Sequence, residues 1–233
     1  VCARAGVPFT KGRASDGAMQ AVTLFCMLSD VRYRQERAGR DVYEMLARAV
    51  EEYDLNYVIP YRSPALFELP LVDHAIVQLA HAHGIDGTDA DDLSRAEIKL
   101  RAQIHEAVRV MQHVPELEGV KLVVSGPHVG VRETRHIHGR YVLEASDLLT
   151  GRSFEDGICW TRFNIDIHGA PDAGTVAVEG RRVQPYQIPY RSLLPVNREH
   201  LLMAGRCISG TSTAHASFRV TGDCMAMGQA AGT

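Results

Sequence analysis

The C-terminal stretch from residue 201 to residue 233 constrains the fold of this chain most tightly. Residues 201–204 predict a buried strand that stops at Gly205, where the backbone can approach a ligand closely because glycine has no side chain. A helix is predicted to begin near 221–223 and to run to the end, with free N–H groups and a positive dipole end at its start. The same pattern suits a core strand and a core helix without a ligand, so both interpretations stay open from these residues alone.

Composition supports a folded domain and excludes two classes of protein. Of the 233 residues, 45% are hydrophobic and 23% are charged, which suffices for one large domain or two small ones. No apolar run approaches the roughly 18–20 residues that span a bilayer. The net charge of -3 does not suit a strongly basic nucleic-acid binder. Five cysteines without a CxxC pair favour a reduced, cytoplasmic compartment over a disulfide scaffold.

Hydrophobic periodicity predicts a mixed α/β chain rather than a regular alternation of strands and helices. An apolar stripe at helical spacing predicts a helix over 42–53, with Asp41 as its N-cap. Two more helices are predicted over 70–83, closed by Gly84, and over about 92–113. The remaining prediction comprises a helical turn at 146–150, a loop or hairpin at 168–182, and strands at 19–28, 56–63, 120–126, 129–137, 140–143 and 158–167.

Eleven histidines raise the question of a metal site. On a strand, the period of two would place His136 and His138 on one face together with Arg132. The neighbouring cations Arg135 and Arg140 disfavour a metal ion at that pair. We therefore predict no metal site, and a non-enzymatic or metal-binding histidine-rich domain stays as the alternative function.

Common signatures of phosphate binding and catalysis are absent from the sequence, including GxGxxG, the Walker A loop, HExxH and the EF-hand loop. The segment at 210–214 is close to a nucleophile elbow, but it follows its predicted strand too late for a sharp turn. Arginine outnumbers lysine by 22 to 3, which fits either a GC-rich genome or recognition of anions by guanidinium groups. The positions of individual arginines must separate these two explanations.

Several segments carry a family resemblance when taken together. They are IPYR at 188–191, LLMAGRCIS at 201–209, RV at 219–220, CMAMGQAAG at 224–232, GVRETR at 130–135 and three short pieces between residues 5 and 20. The chain resembles FAD-dependent oxidoreductases of the two-dinucleotide-fold type, in particular heterodisulfide reductase A-like and xanthan-lyase-like FAD-dependent proteins. Arg206 stands where a related motif ends in aspartate, and Gly222-Asp223 stands where relatives often have Pro-Thr.

The resemblance implies an α/β fold that contains part of an FAD/NAD(P)-binding two-dinucleotide-fold domain with an inserted α+β substrate domain. Residues 1–18 would be a remnant of the FAD-binding domain, 19–195 the substrate domain with a helical insertion at 40–113, and 196–233 the C-terminal segment of the FAD-binding domain. The Rossmann unit with its GxGxxG turn is expected to precede Val1. On that expectation, the 233 residues alone bind FAD weakly and expose an apolar face.

The resemblance also implies a non-covalently bound FAD and hydride transfer between a small organic substrate and the flavin. The flavin-binding residues that it carries over are Gly205, Arg206, Arg219, Val220, Gly222, Asp223 and Cys224. On the substrate side, arginines would orient a carboxylate or polyol, and His215 or Tyr190 would move a proton. The full set of candidate catalytic residues is His215, Tyr190, Arg191, Arg132 and His136.

Other cofactors and partners follow from the same resemblance. Relatives are often grouped with proteins that carry 4Fe–4S clusters, but the five scattered cysteines do not support a cluster here. The expected partners are a small-molecule substrate and an electron acceptor that the sequence does not identify, without nucleic acid or membrane. Homo-oligomerisation stays open, as does a remnant that binds FAD without catalysis.

Overall fold

A computed structural model describes residues 1–31, 42–168 and 182–233 of the chain. These residues form two compact units. The split unit comprises Val1–Gln20 with Arg132–Thr233, and the sheet unit comprises Ala21–Val131. The predicted N-cap Asp41 and nearly all of the predicted loop at 168–182 lie outside the described residues.

Strands and helices alternate irregularly along these ranges. The strands are β1 Phe9–Lys11, β2 Val22–Ser29, β3 Ala65–Glu68, β4 Ala75–Ala82, β5 Lys121–Ser125, β6 Arg135–Ile137, β7 Gly157–Thr161 and β8 Tyr186–Pro189. The helices are α1 Val42–Glu52, α2 Ala90–Met111, α3 Ala145–Thr150, α4 Ser212–Phe218 and α5 Thr221–Gly232, with 3-10 turns at Pro115–Leu117 and Tyr190–Leu193. In the part of the chain that is described, no helix combines the length and the apolar character needed to cross a membrane.

The sheet unit is built on a four-stranded antiparallel sheet in the order β3-β4-β2-β5. Along β2, Leu24, Cys26 and Leu28 are buried at alternate positions, as expected when a helix covers one face of a sheet. Helix α2 packs on β2, β4 and β5, and it buries Leu100 and Ile104. The strands predicted at 19–28 and 120–126 are confirmed, with shifted ends.

Helix α2 begins where the sequence supplies a cap. Oδ1 of Asp89 accepts hydrogen bonds from the backbone N–H groups of Asp91 and Asp92, at 3.0 and 2.9 Å. The carboxylates of the first turn also stabilise the positive end of the helix dipole. The helix predicted over 92–113 is thus confirmed with an earlier start, and α1 confirms the helix predicted over 42–53.

The helix predicted over 70–83 is wrong, because this stretch contains β4. Ala75, Val77 and Leu79 are buried while Ile76 is only partly buried, so the apolar period is two rather than 3.6. Asp73 has a φ of 55° and turns the chain from β3 into β4. The strand predicted over 56–63 is also wrong, because the first strand after α1 is β3, which begins at Ala65.

The split unit has two small antiparallel sheets, in which β1 pairs with β6 and β7 pairs with β8. Helices α3, α4 and α5 complete the unit, and its core includes the fully buried Tyr186 and Phe218. The hydroxyl groups of Tyr186 and Ser217 share a hydrogen bond of 2.8 Å, which ties β8 to α4. Helix α3 ends at Gly151 in a left-handed conformation with a φ of 68°, and α5 begins at Thr221, both as predicted.

Several strand predictions are corrected by the structure. Over 129–137 only β6 is a strand, the strand predicted over 158–167 ends with β7, and over 140–143 Leu143 forms an isolated bridge with Gly210. The stretch 201–204 is irregular rather than a strand. His200 and Gly205 have φ values of 56° and 87°. Because the residues at both ends have left-handed backbone conformations, the chain turns there and does not continue as an extended strand.

The chain is therefore a mixed α/β fold with several antiparallel sheets. Its two compact units divide at residues 20/21 and 131/132, whereas the sequence prediction divided the chain at 18/19 and 195/196. The assignment of those stretches to FAD binding or substrate binding stays a prediction.

Candidate functional site

Three buried side chains of the split unit meet between the segment before β6 and helix α4. Glu133, His136 and His215 are only 3%, 3% and 1% exposed. Nε2 of His136 lies 2.7 Å from Oε1 of Glu133, and the rings of His136 and His215 meet edge to face with centroids 4.8 Å apart. One ligand-type atom from each residue lies within 4.8 Å of the others. We call these three residues the polar cluster.

Glu133 is the ionised member of the polar cluster. Burial alone raises the pKa of a carboxyl group, but hydrogen bonds from His136, Ser212 and the backbone N–H of Gln20 lower the pKa of Glu133 below its usual value. The Gln20 N–H group lies 3.0 Å from Oε2 of Glu133. Because Glu133 is an acceptor, Nε2 of His136 carries the proton of their shared hydrogen bond.

His215 is the neutral member. Burial lowers its pKa to about 3; His136 and the positive charges of Arg219 and Arg206 act in the same direction, and the charge of Glu133 opposes them. The helix that carries it, α4, begins because the side chain of Thr211 accepts a hydrogen bond from the N–H of Ala214 at 3.3 Å. His215 is therefore an uncharged imidazole near neutral pH.

Four of the nine buried side-chain polar atoms that lack a hydrogen-bond partner in the described part of the chain belong to this cluster and to residues linked to it. Among the described residues they include Nδ1 of His136, Nδ1 of His215, Nε2 of Gln20 and Nε of Arg219. Gln20 donates its backbone N–H to Glu133 and accepts the backbone N–H of His168 at 3.2 Å, and His168 and Arg219 share Asp166, so hydrogen bonds link the residues that carry these atoms. Unpaired buried groups are costly, and their concentration indicates a place where a polar ligand or ordered water completes the hydrogen bonds.

Arg219 is held in place by a carboxylate. Its Nη2 donates to the backbone oxygen of Asp166 at 2.7 Å and to Oδ2 of Asp166 at 2.9 Å. Oδ2 of Asp166 also lies 3.0 Å from Nε2 of His168. Burial lowers the pKa of His168, and the nearby charge of Arg132 lowers it further, which places Arg132 beside this second group of polar residues.

The start of α5 presents backbone donors without a capping side chain. Val220 is the N-cap and its side chain accepts no hydrogen bond, while Thr221 and Gly222 are exposed. A Cβ atom built on Gly222 would meet no atom within 4 Å, so there is open space over this turn. Asp223 accepts a hydrogen bond from Thr161 at 2.6 Å, and burial raises the pKa of its carboxyl group.

Arg206 connects the start of α5 with the polar cluster. Its charge acts on both His215 and Cys224, so the exposed guanidinium lies near each of them. Gly205 has a φ of 87°, and a Cβ atom at this position would lie 3.7 Å from the sulfur of Cys224. The predicted flavin-binding residues Gly205, Arg206 and Cys224 thus lie together, and Arg206 lies near the predicted catalytic residue His215.

Tyr190 and Arg191 lie at a different place in the split unit. They line an open cleft of about 560 Å³, together with Arg152, Ser153, Phe154, Glu155 and Asp156. Nε of Arg191 donates to Asp156 at 3.0 Å, and the guanidinium lies over the rings of Tyr141 and Phe154. None of the residues that line this cleft belongs to the polar cluster.

Two imidazoles and a carboxylate are also a set of metal ligands. Here, however, both oxygens of Glu133 already accept hydrogen bonds, and Arg206 and Arg219 place positive charge near His215. A bound cation would displace those hydrogen bonds and meet that charge. The chemistry of these groups therefore fits the holding of a proton better than the holding of a metal ion.

The cysteines offer no site for an iron–sulfur cluster, which needs several thiolates at one point. All five are free, and within residues 1–31, 42–168 and 182–233 they form no convergent group of three or more ligands. Burial raises the pKa of Cys207 and of Cys224, which keeps these thiols protonated.

A buried acid–base cluster and an uncapped helix start within the same unit suit an enzyme that couples proton movement to a bound cofactor. The chain belongs to the family described as FAD dependent oxidoreductase, whose model matches residues 1–233. No curated protein and no solved structure matches the chain. The protein is thus an FAD-dependent oxidoreductase.

The open space over Gly222, the uncapped amides of α5 and the unpaired buried atoms around Glu133 fit a large ligand with a polar edge, such as FAD. Sequence reasoning did not select Glu133 or Gln20 as site residues. The signal for Glu133 was its place three residues before His136, but the role of Gln20 depends on a contact over 113 residues of chain.

Proposed function

We propose that the polar cluster handles the proton of the FAD-dependent oxidation, while the start of α5 holds the flavin. The observation that carries this proposal is the concentration of unpaired buried atoms on His136, His215, Gln20 and Arg219 around one ionised carboxylate. When bound, FAD accepts a hydride, and with it two electrons, from the substrate.

On the flavin side, we assign binding to Gly205, Arg206, Arg219, Val220, Gly222, Asp223 and Cys224. The N–H groups of the first turn of α5 would donate to carbonyl oxygens of the flavin, and the dipole of the 12-residue helix would stabilise negative charge there. Arg219 is fixed by Asp166 and has an unpaired buried Nε–H, so it is oriented before any ligand binds.

On the substrate side, His136 and His215 are almost completely buried and offer ring nitrogens that can hydrogen-bond to the substrate group that gains or loses a proton. Arg132 would add positive charge beside the second group of polar residues around Asp166. Tyr190 and Arg191 line a separate cleft, so we assign to them recognition of a carboxylate or polyol group rather than proton transfer.

We also propose a fold type, a family relationship, a substrate class, a location and an oligomeric state for the protein. We infer a two-dinucleotide fold with an inserted substrate domain, and a relationship to heterodisulfide reductase A-like and xanthan-lyase-like FAD-dependent proteins, from the segments that resemble them. A small organic substrate, a cytoplasmic location and assembly into homo-oligomers complete this proposal.

Anaerobic reduction of the bound flavin tests the proposed function. The protein expressed from its full reading frame is reconstituted with FAD and mixed with candidate substrates while flavin absorbance is followed. We expect the double variant His136→Gln/His215→Gln to bind FAD but to lose at least about 100-fold in reduction rate, since general acid–base catalysis contributes on that order. The exposed His128→Gln serves as the control. A double variant that reduces its flavin at the wild-type rate contradicts the proposal.

A further inference from the structure

We propose that His136 is the proton acceptor of the reaction, that Glu133 is its positioning residue, and that the group oxidised is a hydroxyl-bearing carbon. This inference rests on the proposed function and deepens it. The family resemblance suggested His215 or Tyr190 as the residue that moves a proton, and the sequence did not assign a role to Glu133.

The first step is the state of the His136 ring. Glu133 accepts the hydrogen bond from Nε2 of His136, so the proton of the neutral imidazole resides on Nε2 and a lone pair resides on Nδ1. That Nδ1 atom is buried and has no partner among the described residues. A carboxylate behind one ring nitrogen and a free lone pair on the other is the arrangement of an oriented general base.

The two histidines have different electrostatic surroundings. A proton on His136 is stabilised by the adjacent carboxylate of Glu133 at 2.7 Å. A proton on His215 is opposed by burial, by His136 and by the charges of Arg219 and Arg206, and the charge of Glu133 offsets these effects only in part. Glu133 therefore orients the ring of His136 directly, whereas His215 stays neutral and packs edge to face against it.

The third step concerns what can bind beside Nδ1 of His136. Unpaired buried donors occur on two residues that hydrogen bonds link to Glu133, namely the Nε–H of Arg219 and the side-chain amide of Gln20. A ligand that pairs with Nδ1 of His136 and with either of these donors must donate one hydrogen bond and accept another, as a hydroxyl group does. A protonated amine has no lone pair to accept a hydrogen bond from Arg219 or Gln20, and a saturated carbon chain offers no hydrogen bond.

Oxidation of a hydroxyl-bearing carbon balances in atoms and electrons at this site. The C–H and O–H bonds of the substrate break and a carbonyl C=O bond forms. The hydrogen on carbon leaves with two electrons as hydride to the bound flavin, and the hydroxyl proton moves to Nδ1 of His136. Glu133 keeps its negative charge and stabilises the imidazolium that forms, which makes it a positioning residue.

A nuclear magnetic resonance measurement tests the ring state without any substrate. In histidine-labelled holoenzyme, long-range proton–nitrogen correlations should show His136 at neutral pH with a bare Nδ1 and a protonated Nε2, and the His136→Gln spectrum provides the assignment. In Glu133→Gln we expect the preference for this tautomer to weaken. A proton on Nδ1 of wild-type His136 would overturn the proposal. So would a titration with cobalt(II) that shifts His136 and His215 together at stoichiometric metal.

The kinetic arm uses a panel of 2-hydroxy acids, polyols, amines and saturated acids as reductants of the bound flavin under anaerobic conditions. We expect reduction by alcohols only, slowed about 100-fold to 10,000-fold in His136→Gln, less in Glu133→Gln, and less again in His215→Gln. His138→Gln, two residues along the chain, is the matched control and should reduce its flavin at the wild-type rate. If His136→Gln does not fold, the same kinetic comparison is made with Glu133→Gln.

The outcomes separate the two levels of the proposal. If no compound reduces the wild-type flavin, the proposed function fails, and the tautomer measurement still decides the state of His136. If His215→Gln loses more activity than His136→Gln, or if amines reduce the flavin best, the proposed function stands and this further inference is overturned.

Discussion

Nε2 of His136 and Oε1 of Glu133 lie 2.7 Å apart in a place where both side chains are almost completely buried. The pair joins a residue of β6 to a residue of the segment that precedes it, and Gln20 donates its backbone N–H to the same carboxylate. A charged group in such a place is stable only while its hydrogen bonds are made.

Removal of the Glu133 carboxylate should therefore destabilise the protein. Glu133→Ala leaves the N–H of Gln20 and Nε2 of His136 without an acceptor, and each unpaired buried group costs about 1–3 kcal/mol. We expect a loss of about 3 kcal/mol in the free energy of unfolding, measured with urea. The exposed Glu155→Ala is the control and should change it by less than about 0.5 kcal/mol. Equal free energies of unfolding for the two variants would show that the hydrogen bonds of Glu133 do not stabilise the protein.

The stability of the protein should fall with acid in a way that depends on His215. Its pKa is lowered from 6.5 to about 3 in the folded protein, so between these pH values the unfolded chain binds more protons. The contribution of neutral His215 to the free energy of unfolding is fully present above pH 6.5, and it is lost as the pH falls towards 3. From pH 7 to pH 5 we expect wild type to lose about 2 kcal/mol more than His215→Gln in urea unfolding. The same pH dependence in both proteins would refute this account of His215.

Two glycines of α5 provide a matched test of the flavin site. A Cβ atom meets nothing within 4 Å at Gly222 or at Gly228, so alanine fits at both positions and favours the helix by up to about 1 kcal/mol. We expect both variants to fold at least as well as wild type. Only Gly222→Ala should weaken FAD binding, because its methyl group would occupy the space over the first turn of α5. We expect the dissociation constant of FAD to rise about tenfold, which equals about 1.4 kcal/mol. Titration of FAD into apoprotein measures this, and equal affinity of the two variants would place the flavin elsewhere.

The ion pair between Asp166 and Arg219 should contribute more than the surface pair between Asp16 and Arg13. The Arg219 side chain is only 10% exposed, and Asp166→Ala leaves its guanidinium without a carboxylate. Because Asp166 itself is partly exposed, we expect a loss of about 1–2 kcal/mol in the free energy of unfolding. Asp16→Ala, which breaks an exposed pair, should leave the unfolding midpoint unchanged. The reverse order would contradict the structural role given to Asp166.

The sequence predicted the elements whose signals are local. Helix α2 has a regular apolar stripe, and β2 lies in a nearly continuous apolar run of strand length, so both were recognisable. The segment with β4 was mistaken for a helix because a short apolar run fits either period, and pairing with β2 and β3 decides its structure. Such pairing is a long-range property that periodicity does not contain.

The candidate site was predicted in its parts but not in its arrangement. His136 and His215 were selected separately, and their contact depends on α4, a short helix that the sequence did not reveal. Tyr190 and Arg191 were grouped with them by their family-like segment, whereas packing places both in a separate cleft with Asp156. Motifs identify residue types, but tertiary packing selects which of them meet.

A crystal structure of the FAD-bound protein tests the central claim most directly. The account predicts the flavin ring against the first turn of α5, with Nδ1 of His136 on the same side and within reach of a substrate hydroxyl. A flavin bound away from α5, or a ring whose reactive side faces away from His136, would contradict it.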